Sequence, residues 1–479
     1  MPKNSWLDSD ADSDLDPITS LLSDWSDPED EEEEFRDDFF LGLPGRRRKA
    51  AFVFMAVWGT VIALHLVSWG FWLVLSLTGL LAVHFLRLIL ARPQASPEPL
   101  AADALATAPT VSLLVSAKNE EAVIARLAKI LCELDYPRDR YEVWFIDDYS
   151  TDRTPEILDR LATEYPQLNV LHRPAGAGGG KSGALNHALR LTKGEIIAVF
   201  DADAVVEPDL LRRVVPMFAE ENVGAVQVRK AIANPSDNFL TQSQKAEMAS
   251  DTYFQQQRIA SGGIGELRGN GQFVRRTALR SCGGWNEETI TDDLDLTIRL
   301  HLDRWDIGFC VCPAVNEEGV TRPKALWHQR SRWAEGGYQR YLDYWRAIAS
   351  NRMGFFKTAD LLAFMLMQYI LPTAAIPDLV MALLRHHLPI LGPLTILLVS
   401  LALLSLVVGS YRIQRAEGDR LSVSGLWEIL SDSLRGILYL QHWLAIMPAT
   451  TARMSVRPKR LKWVKTAHQG ATEEQFGIG

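Results

Sequence analysis

Cysteine is scarce, with four in 479 residues (Cys132, Cys282, Cys310 and Cys312) and none in a Cys-x-x-Cys pair. That count excludes a disulfide framework, argues against structural zinc and fits a reducing compartment. A basic start followed by an apolar core, the mark of a signal peptide, is also missing. Instead residues 1–45 hold fifteen Asp/Glu against Lys3 and Arg36, a net −13. Without a sustained apolar period, this tail is expected to be disordered and solvated. The overall charge of −9 therefore misleads, because the rest of the chain carries +4. No long internal repeat is visible, and no nucleic-acid partner is expected.

Long apolar runs are plentiful. From Ala50 to Ala91 the polar interruptions are few, chiefly His65, His84 and Arg87. One crossing needs roughly 20 apolar residues, so this run suffices for two, turning near Ser68-Trp69-Gly70. Basic residues flank it at both ends (Arg46 to Lys49; Arg87 and Arg92), which implies a hairpin with both ends cytoplasmic. Leu361 to Gly409 suggests two more crossings, the first kinked by Pro372 and Pro377. Arg412 to Arg420 reads as a charged cytoplasmic loop. Residues 426–452 mix Glu428, Asp432, Arg435 and His442 with Leu, Ile and Trp, and are expected to form an interfacial helix rather than a fifth crossing. The basic stretch Arg457 to Lys465 then lies on the anionic membrane surface. The expected layout is a tail (1–49), a hairpin (50–92), a linker (93–109), a catalytic domain (110–358), two transmembrane helices (359–410) and an amphipathic, basic end (411–479). Both termini and the catalytic domain are expected in the cytoplasm.

Within 110–358, strands alternate with helices: Val111–Ser116, a helix to Leu134, Glu142–Ile146, a helix from Thr154, then Asn169–His172. Such alternation, with acids at strand ends, predicts an α/β open sheet. Ile196 to Phe200 is an apolar strand ending in Asp201-Ala-Asp203. In extended backbone, residues two apart point the same way, so both carboxylates can converge on a divalent cation, Mg²⁺ or Mn²⁺, that also holds phosphate oxygens. An acidic turn capping a helix near Pro208 is the structural alternative. Ala175-Gly-Ala-Gly-Gly-Gly-Lys-Ser182 resembles a phosphate-cradling loop, which keeps a nucleotide triphosphatase open as a rival. That motif calls for Gly where Ala175 stands, and it leaves the remaining acids unexplained.

Those acids form an ordered set: Asp147-Asp148, Asp201-Ala-Asp203, Thr291-Asp-Asp293 and Gln329-Arg-Ser-Arg-Trp333. Together with Lys181-Ser-Gly-Ala-Leu-Asn186, Gly269-Asn-Gly-Gln-Phe-Val-Arg-Arg276 and Leu296 to Phe309, the set resembles the signature of family 2 glycosyltransferases over residues 110 to about 350. The resemblance implies an α/β fold of the GT-A type, a nucleotide-sugar-binding domain with a mixed central sheet, here flanked by transmembrane helices. It implies an inverting hexosyltransferase using a UDP-sugar, with UDP-glucose expected. Uridine is placed near Asn119, Glu120, Asp147 and Asp148, the metal at Asp203 with Asp201 near it and the ribose, and Lys181 near the diphosphate.

The chemistry asks for these residue types independently. Departure of a diphosphate needs positive charge where negative charge develops. Gln329, Arg332 and Trp333 share a face if their segment is helical; Arg332 then reaches the diphosphate while Trp333 offers a flat surface to the sugar or acceptor. The acceptor hydroxyl must lose a proton. Asp293 is the expected base, its pKa raised by Asp292, although Thr291 or Asp292 could equally cap a helix. Family members with this Gln-x-x-Arg-Trp motif often make polymers, and a processive synthase is the enzymatic alternative. An inactive scaffold is the alternative outside enzymes. Four crossings with an amphipathic end instead suit an acceptor already in the bilayer, and diacylglycerol, with one interfacial hydroxyl, fits.

Overall fold

The computed structural model describes residues 45–418 and 422–456. The acidic tail up to residue 44 and the expected basic stretch at Arg457 to Lys465 lie outside the described residues.

Two apolar helices open the chain, α1 (Arg46–Leu66) and α2 (Gly70–Leu90), turning at Ser68 and Trp69 as the sequence predicts. Then follow β1 (Val111–Ala117), α3 (Ile124–Cys132), β2 (Tyr141–Asp147), α4 (Thr154–Glu164), β3 (Leu168–His172), α5 (Gly180–Leu189) and β4 (Ile196–Phe200). β1 and β4 are apolar and buried along almost their whole length, as strands covered on both faces must be. After β4 come β5 (Val205–Val206), α6 (Leu210–Val214), β6 (Val223–Ile232), α7 (Phe239–Ala260), β7 (Gln272–Arg275), α8 (Arg276–Ser281), α9 (Asp292–Leu302), β8 (Asp306–Glu317) and α10 (Pro323–Ala349).

The strands form one mixed sheet in the order β3-β2-β1-β4-β7-β6-β8-β5. β1, β2, β3 and β4 run parallel, whereas β7 meets β4 antiparallel. The chain reverses its direction of travel across the sheet between β1 and β4. Their carboxyl ends therefore flank a topological switch point, where open α/β sheets bind ligands. Asn119 and Glu120 follow β1, and Asp201 follows β4.

The last part is helical: α11 (Phe355–Met365), α12 (Leu371–Leu384), α13 (Gly392–Ala416), α14 (Val423–Leu440) and α15 (Trp443–Val456). α11 and α12 form one long apolar helix joined by a π-helical turn at Leu366–Ile370. Pro372 supplies the cause, since it has no N–H for the carbonyl four residues back, at Gln368. Among the described residues four helices are long and apolar enough to cross a membrane: α1, α2, the 355–384 helix and α13. Two expectations change. Arg412 and Arg415 are not in a loop, because α13 continues to Ala416 and Arg412 Nη1 donates to Gln257 Oε1 at 2.9 Å. Residues 426–452 are not one helix, because α14 and α15 are separate, and α15 buries Ile446 and Met447 in the bundle.

Candidate active site

Lys181 is the second residue of α5, after a turn in which Gly176 and Gly179 have positive φ, as does Gly180, the first residue of the helix. A side chain is strained in that conformation, so the glycines let the turn fold tightly under the end of β4. Lys181 Nζ reaches Asp201 Oδ1 at 2.6 Å. Burial works against its charge, but Asp201, Asp292 and Asp293 outweigh it and hold the ammonium above its ordinary range. Arg173 braces the same turn from below, donating to Gly178 O at 2.6 Å and Gly180 O at 3.3 Å while pairing with Asp148 Oδ1 at 2.6 Å. Arg173 thus ties the glycine turn to Asp148, and the lysine of the turn is paired with Asp201.

The acid pair differs from its expected geometry. β4 stops at Phe200, and Asp201 to Asp203 form a turn closed by Ala204 N–H to Asp201 O at 3.1 Å. Strand alternation therefore does not align the two carboxylates. Asp201 is half-exposed and held by Lys181, with its N–H on Asn270 Oδ1 at 3.2 Å. Asp203 is buried and its Oδ2 accepts the Glu318 N–H at 3.1 Å. Among the described residues no group of three or more His, Cys, Asp and Glu side chains is placed to hold a metal ion by itself. One or two hard oxygen donors of this kind fit an Mg²⁺- or Mn²⁺-like ion that takes its other ligands from water and a diphosphate.

Thr291 stands at the N-cap of α9 without a capping hydrogen bond from its side chain, and Asp292 and Asp293 are the first two helical residues. Asp293 Oδ1 accepts the Leu294 N–H at 2.8 Å. Burial, and then the like charge of Asp292, push the Asp293 carboxyl up to about 6, against the opposing pull of Lys181 and Arg268. Asp292 Oδ2 is buried and has no hydrogen bond among the described residues. The same holds for Gln329 Oε1 on α10. Each of these buried acceptors has room for a donor from outside the protein.

Gln329, Arg332 and Trp333 lie on α10, so the helical face expected of them exists. Burial lowers the Arg332 pKa while Asp201 opposes the shift, which places Arg332 within electrostatic reach of the acid turn. One ring contact of Trp333 is already taken: the Arg330 guanidinium lies 3.8 Å from its centroid and Lys230 Nζ 5.5 Å away. At the other end, Asp147 is buried and serves the fold, with Oδ1 on the Ser150 N–H at 3.0 Å and Oδ2 3.1 Å from His172 Nδ1. Asn119, at φ 55, accepts the Thr151 N–H at 2.7 Å; the N–H of buried Glu120 donates to Thr154 Oγ1 at 2.8 Å.

Sequence reasoning missed Arg173, Lys230, Arg268 and Glu317. Lys230 pairs with Glu317 at 2.9 Å and feels both Asp201 and Asp293. It sits in an ordinary-looking strand and carries no local signal. Asn270 lay within the quoted Gly269-Asn-Gly stretch without a role.

The profile of the family described as Glycosyltransferase like family 2 matches residues 108–336. Over the full chain, the sequence is 58% identical to a beta-monoglucosyldiacylglycerol synthase of Synechocystis sp., covering 100% of this chain and 99% of that protein. It is 61% identical to the enzyme of the same name from Nostoc sp., covering 99% and 100%. The chain belongs to the family 2 glycosyltransferases. Among solved structures, this glycosyltransferase resembles the mannosyltransferase PcManGT from Pyrobaculum calidifontis, determined in complex with GDP-Man and Mn²⁺. The TM-score is 0.51 at 20% identity, over 83% of this chain and 98% of that one, a likeness of fold.

Proposed function

We propose that this glycosyltransferase moves glucose from UDP-glucose to the hydroxyl of 1,2-diacylglycerol with inversion, giving beta-monoglucosyldiacylglycerol. The acceptor is supported by the full-length identity to relatives whose names state that product. The chemistry rests on one arrangement: Lys181, 2.6 Å from Asp201, stands within electrostatic reach of the Asp292-Asp293 pair, where burial and Asp292 raise the Asp293 carboxyl.

In this reading UDP-glucose lies across the carboxyl ends of β1 and β4, with uridine toward Asn119, Glu120 and Asp148. Lys181 and Arg332 stand where the diphosphate gains charge as its bond to the sugar breaks. Asp203, with Asp201, would hold a divalent cation, whose chemistry is neutralisation of the leaving diphosphate. Asp293 takes the proton of the lipid hydroxyl as it attacks from the opposite face of the sugar, and this single displacement inverts the anomeric carbon. Gln329 and Trp333 orient the sugar and the acceptor. The bundle holds the lipid close. Arg46 and Lys49, at the start of α1, bind Asp343 and the Leu342 carbonyl of α10, so the basic end of the hairpin lies on the catalytic side. That supports a cytoplasmic catalytic domain and cytoplasmic termini.

The test presents purified protein with diacylglycerol in mixed micelles and UDP-glucose, UDP-galactose or UDP-N-acetylglucosamine separately. Mass spectrometry and the anomeric coupling constant read the product. A β-glucolipid from UDP-glucose is expected. Polymer formation, or preference for another UDP-sugar, overturns the assignment.

A further inference from the structure

Away from the active site, the end of the bundle remote from the catalytic domain holds a pair of facing histidines. His65 is buried near the end of α1, about 28 Å along the helix from Arg46, which contacts α10. His387 is exposed, in the turn between α12 and α13. His65 Nδ1 and His387 Nε2 are 3.4 Å apart.

The other nitrogen of each ring fixes the tautomer. His65 Nε2 lies 2.7 Å from Asp378 Oδ1. Asp378 acts as a carboxylate acceptor, since its Oδ1 takes the Ile390 N–H at 2.9 Å and its Oδ2 the Leu391 N–H at 3.2 Å. Nε2 of His65 is therefore the protonated nitrogen. His387 Nδ1 lies 2.7 Å from the Leu388 carbonyl, which only accepts, so Nδ1 carries that ring's hydrogen. Two unprotonated ring nitrogens are left 3.4 Å apart on rings whose planes are 11° apart and whose centroids are 5.0 Å apart, close enough to share one cation. The separation is longer than the usual 2.7–3.2 Å of a hydrogen bond donated by N–H. It matches the roughly 3.4 Å between two imidazole ligands bound at about 2.0–2.1 Å to a tetrahedral ion. Histidines that bind metal characteristically donate their second N–H to a carboxylate or a backbone carbonyl, as both do here.

We propose that His65 Nδ1 and His387 Nε2 bind one late first-row divalent ion of the zinc class, with water completing its shell on the exposed side. Asp378 orients His65 without touching the ion. The ion would clip the end of α1 to the turn before α13 and stiffen the bundle.

The experiment uses the full chain, without an oligohistidine tag, in detergent with excess Mg²⁺ and no UDP-sugar. After chelation and dialysis it is titrated with ZnCl₂, and bound zinc is counted by elemental analysis; Co²⁺ absorption reports ligand type and geometry. One equivalent is expected, with a zinc-dependent rise in melting temperature. His387→Ala, on an exposed turn, should weaken binding at least tenfold and abolish that rise, and His65→Ala should do the same. His386→Ala, altering the adjacent exposed histidine, should leave both intact. No retained zinc, with the pair merely sharing a proton, overturns the site. So does zinc binding that survives His387→Ala.

Discussion

Lys181 Nζ lies 2.6 Å from Asp201 Oδ1, and this pair ties the glycine-rich turn before α5 to the end of β4. Elements that follow different strands are thereby held at one pocket. Removing the ammonium leaves Asp201 facing Asp292 and Asp293 with less compensation. Lys181→Ala is expected to lower transfer by about 10²–10³-fold, the usual worth of one preorganised electrostatic partner, and to weaken UDP binding measured by calorimetry. ATP hydrolysis should be undetectable in parent and variant alike. ATPase activity that depends on Lys181 would restore the triphosphatase reading.

The contact between α9 and α10 is equally specific. A Cβ on Gly336 would collide with the side chain of Thr291, the residue just before Asp292 and Asp293. Gly336→Ala must push α10 away from the start of α9, moving Arg332 relative to Asp293. Overpacking of this kind costs about 1–3 kcal/mol. We expect a lower melting temperature and at least a tenfold loss of transfer, with UDP affinity less affected than kcat. Unchanged kcat would mean that this junction does not set the geometry of the site.

The legible parts of the molecule were those written in local pattern. Ile196–Phe200 declared itself a buried strand because five apolar residues end in acid, and its observed bounds agree. The four crossing-length helices were equally plain, since lipid demands unbroken apolar length. What stayed hidden depends on where distant segments meet. Arg173 gives no sign that it grips Asp148 and the glycine turn together. The alignment of Asp201 with Asp203 was misjudged because pleat alternation stops where the strand stops, one residue earlier. Trp333 was read as a flat surface for sugar or acceptor, and nothing local announced that Arg330 lies over its ring.

Glu266 shows how such long-range pairing holds the catalytic domain to the bundle. Its fully buried carboxylate faces Arg340 at 2.9 Å, Arg268 at 2.7 Å and Arg258 at 3.5 Å, and Arg258 in turn binds Asp360 of α11 at 2.9 Å. Burial raises the carboxyl's pKa, but the three arginines outweigh it and hold it well below the usual range. A depressed carboxylate contributes stability above its unfolded pKa and loses it as pH falls. Glu266→Gln strands buried cations, which costs about 3–5 kcal/mol. The melting temperature should drop sharply at pH 7, and the gap to the parent should narrow under acid. A variant as stable as the parent at pH 7 would show that Asp360 on Arg258 and Asp251 on Arg268 suffice and that Arg340 does not depend on Glu266.

Variants at Asp293 and Asp203 test the proposed division between proton transfer and metal holding. With its pKa near 6, Asp293 is ionised at neutral pH and fit to accept a proton. The transfer rate of the parent should fall as pH drops through about 6. Asp293→Asn should keep UDP binding in the presence of Mg²⁺ or Mn²⁺ while slowing chemistry by about 10²–10⁴-fold and removing that acid limb. Stability supplies a second readout. A carboxyl whose pKa is raised in the folded state favours folding only below its unfolded value near 3.8, and that contribution disappears as pH rises through 6. Asp293→Asn removes the penalty of holding the charge at high pH, so relative to the parent it should melt higher at pH 8 than at pH 4. Asp203→Asn should instead weaken metal-dependent UDP binding. Both variants remove one carboxylate from the same pocket, so a general electrostatic effect would strike them alike. If Asp293→Asn keeps near-normal transfer, or loses UDP as badly as Asp203→Asn, the base is another residue, and Asp292 becomes the candidate.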